Sequence, residues 1–441
     1  MQITLPEKVK SIIQTLEDGG YEAYAVGGCV RDSLLGRTPE DWDITTSAKP
    51  EEIKRFFRRT VDTGIQHGTV TIMLGNDGFE VTTYRIDGDY EDSRHPKEVT
   101  FTSNLLEDLK RRDFTINAMA YNENKGLVDA FDGMKDLENQ IIRAVGNPNE
   151  RFEEDALRIL RAIRFSAQLG YTIEAETLEA IKSLAPTLQN ISAERIRVEL
   201  VKLLISPHPE RLWTAYDTGV TKVILPEFDQ MMQMPQNNPH HMYTVGEHTI
   251  RTISAIEPDK TLRLTMLFHD SGKPHTMTKD EEQIYHFYGH ERVSEELAEK
   301  IMRRLTFDND TIRKVRRLVL YHDYMPKLTP AKVRNAIHEI GEDIFPLLFP
   351  VKRADIAAKS EYKRQEKLQY VDDLEALYQS IMAAGDCLSL KSLAVSGKDL
   401  IAAGMKPGKE LGETLEQLLK DVLEHPEHNT KEYLLKSVTT S

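Results

Sequence analysis

The run from Gly27-Gly28 to Asp41-Trp42-Asp43 constrains the fold more than any other stretch. Tyr24, Ala25 and Val26 make an apolar strand that ends at the two glycines. With no Cβ in the way, the backbone there can approach a ligand and turn its N–H groups toward an anion. A helix begins at once with Cys29-Val30-Arg31-Asp32, its positive dipole end on the same side. Asp41 and Asp43 then alternate with Trp42 and Ile44, the period of a strand, so both carboxylates share one face. Two acids on one face repel unless a cation lies between them, and hard oxygen ligands with substrate phosphates suit Mg²⁺. Asp-x-Asp alone is common at strand ends. Beside Gly27-Gly28 and Arg31-Asp32 it reads as a metal clamp for in-line phosphoryl transfer.

A length of 441 residues predicts about three domains. The net charge of −14 argues against a generic nucleic-acid coat protein. A local basic groove remains open, because Lys110-Arg111-Arg112, Arg158 with Arg161 and Arg164, and Arg313-Lys314 with Arg316-Arg317 are clustered. Two distant cysteines, Cys29 and Cys387, exclude a cysteine metal cluster and suit a reducing cytoplasm. The N-terminus has no signal-peptide core, and no apolar run approaches the roughly 20 residues of a membrane span.

Along the chain, Val9, Ile12, Ile13 and Leu16 predict a helix from Pro6 to Glu17. Another is expected from Pro50 to Arg59, with Ile53, Phe56 and Phe57 inward. A hairpin follows, Thr69–Leu74 and Glu80–Arg85, turning at Asn76-Asp77-Gly78. Glu80 is a third acid or a solvated edge residue. The polar stretch from Asp87 to Pro96 reads as a mobile loop. From Asp108 to Ala120 the period shifts toward helix. Arg111 can clamp a triphosphate there, while Asp113 and Asn117 can meet ribose hydroxyls, unless Asp113 is a plain helix cap. Arg151 to Phe165 reads as one strong helix carrying Glu154, Asp155 and Arg158 within a turn. Those three form an intrahelical ion pair, or a hydrogen-bonding edge matched to a nucleobase.

A second constellation opens at His240-His241 and continues through His248, His269-Asp270, His286, His290, His322-Asp323 and Asp355. Imidazoles and carboxylates on separate helices are what a divalent metal site needs. The tail from Ser360 is helical, with Val371, Leu374, Tyr378 and Ile381 inward. Its glycine turns around Gly397, Gly404, Gly408 and Gly412 are ordinary caps or contacts for a nucleic-acid backbone.

The ordered set Gly-Gly-x-x-Arg-Asp, Asp-x-Asp, Arg-Arg-Asp-x-x-x-Asn-Ala and Glu-Asp-x-x-Arg resembles class II tRNA nucleotidyltransferases and bacterial poly(A) polymerases. Ser192 to Leu200 resembles that family's next helix, and the motifs span roughly half the chain. The resemblance implies an α+β protein, with a small mixed-sheet nucleotidyltransferase head followed by all-α neck, body, HD and tail parts. Its parts would be a head at 1–135, a neck and body at 136–235, an HD domain at 236–360 and a tRNA-binding tail at 361–441. It implies Mg²⁺ on Asp41 and Asp43, with Gly27, Gly28, Arg31, Arg111, Asp113 and Asn117 around the nucleotide. It implies that Glu154, Asp155, Arg158 and Arg161 select CTP, then ATP, for addition of CCA to the tRNA 3′ end. The loop at Asp87–Pro96 resembles one that CC-only enzymes lack.

The second constellation resembles the HD metal-dependent phosphohydrolases. That resemblance implies His248, His269, Asp270 and Asp355 as core ligands of a divalent metal of unstated identity, with His290 and His322 at a second position. Lys273 follows the His-Asp pair where it would meet a phosphate. The expected protein is a cytoplasmic enzyme acting on tRNA with CTP and ATP. An A-adding enzyme, a poly(A) polymerase, an HD phosphohydrolase on RNA ends and an RNA-binding scaffold are the alternatives.

Overall fold

The computed structural model describes residues 3–88, 99–237 and 242–439. The chain divides into two compact units, Met1–Pro226 and Glu227–Ser441. Both His240 and His241, and most of the loop expected at Asp87–Pro96, lie outside the described residues.

The first unit opens with helix α1 (Glu7–Asp18), which buries Val9, Ile12, Ile13 and Leu16, the spacing read from sequence. Next come β1 (Ala23–Val26), α2 (Gly28–Leu34), β2 (Ile44–Thr46) and α3 (Pro50–Phe56). Strands β3 (Thr60–Gly64), β4 (Thr69–Leu74) and β5 (Asp77–Thr83) follow. The short pair β6 (Arg85–Asp87) and β7 (Val99–Phe101) is antiparallel. Helix α4 (Leu105–Lys110), β8 (Met119–Asn122), β9 (Gly126–Asp129) and α5 (Gly133–Glu138) complete the mixed α+β part. Seven strands form one sheet in the order β3-β4-β5-β2-β1-β8-β9, with β2 parallel to β5 and the other neighbours antiparallel. The sequence expectation of a small mixed sheet followed by helices holds.

Five local expectations change. Asp41 and Asp43 precede β2 rather than lie within it; the chain is extended there, and Val26 N–H still donates to the Asp43 carbonyl at 3.0 Å. The hairpin turns at Gly75-Asn76, because Leu74 pairs with Asp77. In α3 only Ile53 and Pro50 are buried; Phe56 is exposed, its ring edge-on to Tyr21 at 6.0 Å. The segment after Arg112 makes one 3₁₀ turn at Thr115–Asn117 and then enters β8, because pairing with β1 and β9 outweighs its helical period.

The helix expected from Arg151 to Phe165 is two. After β10 (Ile141–Ile142), α6 (Pro148–Glu154) stops at Asp155, whose backbone is extended. The Asp155 carboxylate accepts from Leu157 N–H at 3.0 Å and so starts α7 (Leu157–Leu169). The unit continues with β11 (Thr172–Ile173), α8 (Ala175–Leu184), α9 (Ala193–Leu204), α10 (Leu212–Asp217) and α11 (Val220–Ile224).

Helix α12 (Pro226–Met232) leads into the second unit. There α13 (Val245–Ala255), α14 (Lys260–Phe268), α15 (Lys273–Thr276), α16 (His290–Arg304), α17 (Asn309–Tyr321), α18 (Pro330–Ile340) and α19 (Leu348–Ala358) succeed one another. A two-stranded pairing of β12 (Thr278–Lys279) with β13 (Tyr285–His286) interrupts them. Caps set the helix starts: Thr244 with Glu247 for α13, Asp259 for α14 and Asp308 for α17. The tail holds α20 (Arg364–Ala384), α21 (Gly397–Ala402), α22 (Lys409–Glu424) and α23 (Lys431–Thr439). Val371, Leu374, Tyr378 and Ile381 are the buried face of α20, as their spacing predicts. Among the described residues, no helix is long and apolar enough to cross a membrane.

Candidate functional site

In the first unit the polar groups collect beside the β1–α2 turn. Gly27 sits at φ +83°, and a Cβ there would come within 3.2 Å of the Arg112 guanidinium, so glycine serves both conformation and space. Both Asp41 and Asp43 are open to solvent on one side. A cavity of about 850 Å³ is lined by both acids, Glu40, Thr71 and Glu80 among others. Strand β5 runs beside β2 with Val81 opposite Ile44, which brings Glu80 alongside Asp43. The surrounding protein raises the Asp43 carboxyl above its ordinary range; Arg112 opposes this and the Asp41 charge adds to it. Glu80 is raised as well, by desolvation and then by the charges of Asp43 and Asp41. The three carboxylates thus line one cavity, where the charge of Asp41 acts on both Asp43 and Glu80.

Behind the acids runs a hydrogen-bond chain. The Arg31 guanidinium donates to Asn117 Oδ1 at 2.7 Å, and Asn117 Nδ2 donates to Asp113 Oδ1 at 3.2 Å. Arg161 donates to Asp113 Oδ2 through Nε at 2.8 Å and Nη2 at 2.5 Å. Asp113 also accepts from Phe114 N–H at 2.8 Å, so the plain cap and the polar role coexist. Despite full burial, Arg161 and then Arg158 hold the Asp113 carboxyl down to about 2. The guanidiniums of Arg31, Arg161 and Arg164 lie 5.1, 5.3 and 3.8 Å from the centre of the Phe165 ring.

Arg111 is held by Asp108, a fully buried carboxylate, at 2.7 and 2.9 Å. Asp108 accepts from Thr45 on β2 at 3.0 Å and from Arg112 at 3.4 Å. The sequence reading gave Asp108 no role. Its signal was there: a lone acid three and four residues before two arginines. Farther along, Arg158 donates to Glu154 at 2.6 Å and to the Arg111 carbonyl at 2.9 Å. Asp155 faces away from Arg158 and pairs with Arg195 of α9 at 2.7 and 3.3 Å. The ion pair weighed for this trio is therefore Glu154–Arg158 alone, and it bridges α6 and α7.

The second unit brings together all six of the ligand candidates. His248 on α13 places Nε2 3.0 Å from Asp355 Oδ1 on α19. His269 Nε2 is 3.3 Å from Asp270 Oδ2 and 3.3 Å from His248 Nε2. On the other side of Asp270, its Oδ1 is 3.3 Å from His290 Nε2 and 3.7 Å from His322 Nε2. His290 Nε2 and His322 Nε2 are also 3.3 Å apart. Two ligand groups thus share Asp270, and all six residues are buried. Gly272 makes this closeness possible: a Cβ there would come within 2.4 Å of the His290 carbonyl. His286 stands apart, paired with Asp280 at 2.8 Å.

The far nitrogens decide what the cluster can hold. Nδ1 of His269, His290 and His322 meets the Met266, Phe287 and Val319 carbonyls at 2.8, 2.8 and 2.7 Å, and His248 Nδ1 meets the Ala358 carbonyl at 3.4 Å. A carbonyl accepts only, so each Nδ1 donates there, and each Nε2 is the atom turned toward the other imidazole and the Asp270 or Asp355 carboxylate. Nε2 atoms 3.3 Å apart have the separation of two ligands set at a tetrahedral angle on one cation. Burial holds the His248 imidazole below its usual range, against the pull of Asp355, in keeping with a neutral ligand. At His269 burial acts the same way, but the Asp270 charge outweighs it.

Three family models match successive parts of the chain. Residues 23–143 match the poly A polymerase head domain, and 170–232 match a probable RNA and SrmB-binding site of polymerase A. Residues 275–438 match a putative tRNA nucleotidyltransferase domain 2. The CCA-adding enzyme of Lactobacillus helveticus is 36% identical over 433 residues, 97% of this chain and 96% of that protein. That of Levilactobacillus brevis is 37% identical, covering 98% and 97%. The Bacillus stearothermophilus CCA-adding enzyme, solved with CTP, superposes with a TM-score of 0.73 at 29% identity over 99% of both chains. Divalent-metal dependence comes with nucleotidyltransferases of this kind. Whole-length similarity on this scale leaves one assignment: the chain belongs to the CCA-adding enzyme family.

Proposed function

We propose that this protein adds CCA to the 3′ end of tRNA from CTP and ATP, releasing pyrophosphate. The observation that carries the reading is the pair Asp41 and Asp43 beside the Gly27 turn, within a chain related to CCA-adding enzymes over nearly its whole length. Asp41 and Asp43, with Glu80 beside them, would hold Mg²⁺. Bound there, it would lower the pKa of the attacking 3′ hydroxyl and neutralise the leaving pyrophosphate. Gly27 and Gly28 leave room for phosphates close to the backbone. Arg31, Arg111, Asp113 and Asn117 orient the sugar and triphosphate, and Asp108 keeps Arg111 aimed. Glu154, Asp155, Arg158 and Arg161 form the edge that selects the base. Reading a base would require Arg158 to leave Glu154, or Asp155 to leave Arg195, since each is paired.

We assign residues 1–135 to the head, 136–235 to the neck and body, 236–360 to the HD domain and 361–441 to a tRNA-binding tail, in a cytoplasmic enzyme. Labelled CTP and ATP offered to tRNA transcripts ending before the first C, after CC and after CCA test the function. Addition of CCA to the first, followed by a stop, is the expected result. Addition of A alone to the CC-ended transcript would make it an A-adding enzyme, and unlimited A a poly(A) polymerase.

A second activity, phosphohydrolysis of RNA ends, is favoured by the close Nε2 atoms of His248 with His269 and of His290 with His322, each pair beside the Asp270 carboxylate. A divalent metal would be held there by His248, His269, Asp270 and Asp355, with His290 and His322 at a second position sharing Asp270. Release of phosphate from 3′-phosphorylated or cyclic-phosphate RNA, abolished by chelation, is the expected outcome. Absence of both hydrolysis and metal uptake would remove this reading.

A further inference from the structure

Three lysines surround the His/Asp cluster, and their surroundings differ. Lys273 is 4% exposed, and its ammonium donates to Asp270 Oδ2 at 2.6 Å and to Gln236 Oε1 at 2.9 Å. Lys352 is also buried, and it donates to the His322 and Tyr324 carbonyls, both at 2.7 Å. These two are fixed parts of the wall. Lys359 lies one helical turn after Asp355, at the end of α19. Its ammonium reaches Asp355 Oδ2 at 2.5 Å and comes within 3.9 Å of Asp323 Oδ1. Asp323 is half exposed beside His322 and His290, and the Lys359 side chain keeps some open surface. Lys359 therefore stands between the buried Asp355 and the exposed Asp323.

We propose that Lys359 is the phosphate hook of this cluster: it neutralises Asp355 and Asp323 when no metal is bound, and grips a phosphate group when metal is bound. The inference rests on the metal-site reading given above. An ammonium on Asp355 occupies carboxylate capacity that a divalent cation would claim. Asp270, Asp323 and Asp355 bring three negative charges, and Lys273, Lys352 and Lys359 return three. A pair of divalent cations leaves the whole with net positive charge, so a multiply charged anion completes it. Lys359, freed from Asp355, has three donors on the Asp323 side of the cluster and a flexible stem. Lys363 and Lys367 extend the basic edge along the start of α20, and Lys367 feels the charges of Lys359, Asp355 and Asp323. A hook of this kind predicts that phosphate affinity falls on its removal while metal affinity does not. Removing it relieves competition for the metal and weakens phosphate.

The experiment uses the full chain carrying Asp41→Asn and Asp43→Asn, so that Mn²⁺ reports on the His/Asp cluster. Calorimetry measures Mn²⁺ uptake first. It then measures binding of inorganic phosphate and of adenosine 3′-monophosphate, a free and an esterified phosphate, to the loaded protein. Lys359→Met is expected to bind Mn²⁺ as well or several-fold tighter and phosphate at least about tenfold more weakly. Lys359→Arg keeps phosphate binding within a few-fold. A loss confined to one probe names the source the hook serves. Unchanged phosphate affinity in Lys359→Met overturns the proposal. So does a parallel fall in Mn²⁺ and phosphate affinity, the mark of a merely structural residue. A parent protein that takes up no Mn²⁺ overturns instead the metal-site reading beneath it.

Discussion

In the head, Asp41 and Asp43 stand open to solvent on an extended lead-in to β2, with Glu80 on the neighbouring strand. In the second unit, His248, His269 and Asp270 are at most 1% exposed, and each imidazole is fixed through its far nitrogen. The head gathers carboxylates, and the second unit gathers imidazole Nε2 atoms 3.3 Å apart with the Asp270 carboxylate between the pairs. A metal on the two head acids would take the rest of its shell from phosphates and water, so that ion and triphosphate would complete each other. The imidazole cluster by itself would supply most of the shell of any cation it holds. Open carboxylates suit transfer to a large substrate; enclosed imidazoles suit a resident cation.

Separate chemistry at the two clusters is most directly broken by mutation. Asp43→Asn should lower nucleotide incorporation by about a thousandfold or more, while metal uptake by the imidazole cluster stays unchanged. Loss of both together would mean that the clusters are not independent. His269→Ala should weaken metal uptake at its own cluster by more than about a hundredfold and leave CCA addition within about twofold, read by metal analysis and incorporation side by side.

A smaller effect sharpens the picture of the head. The Asp113 carboxyl sits at about 2, below the roughly 3.9 of an unfolded aspartate. A depressed carboxyl stabilises the fold above the unfolded pKa, and the contribution vanishes as pH falls through the folded one. About 2–3 kcal/mol should therefore be present at neutral pH and disappear between about pH 4 and pH 2. Denaturant unfolding of the wild type and Asp113→Asn across that range measures it; the variant should lack this component. The smallest expected change is in base choice. Arg195→Ala frees Asp155 from its partner and should shift the CTP-to-ATP preference by about tenfold, read from competition on the two tRNA ends. An unchanged preference would remove Asp155 from the selecting edge.

Residue spacing alone determined the α1 and α20 buried faces and the glycine turn with its two acids, because local period is written in one dimension; the set of six His/Asp residues came from the resemblance to HD phosphohydrolases, since the pattern by itself offered His286 and Asp323 as well. Tertiary structure decided the rest. Pairing of β8 with β1 and β9 turned a helical period after Arg112 into a strand. The Asp155 side chain broke an apparently continuous helix, because its bond to Leu157 N–H competes with the helical ladder. The roles of Asp108 and Lys359 depend on who their neighbours are: Thr45 lies 63 residues from Asp108 in sequence, and Asp323 lies on a different segment from Lys359. Charge pairing acts through space, and no periodicity records it.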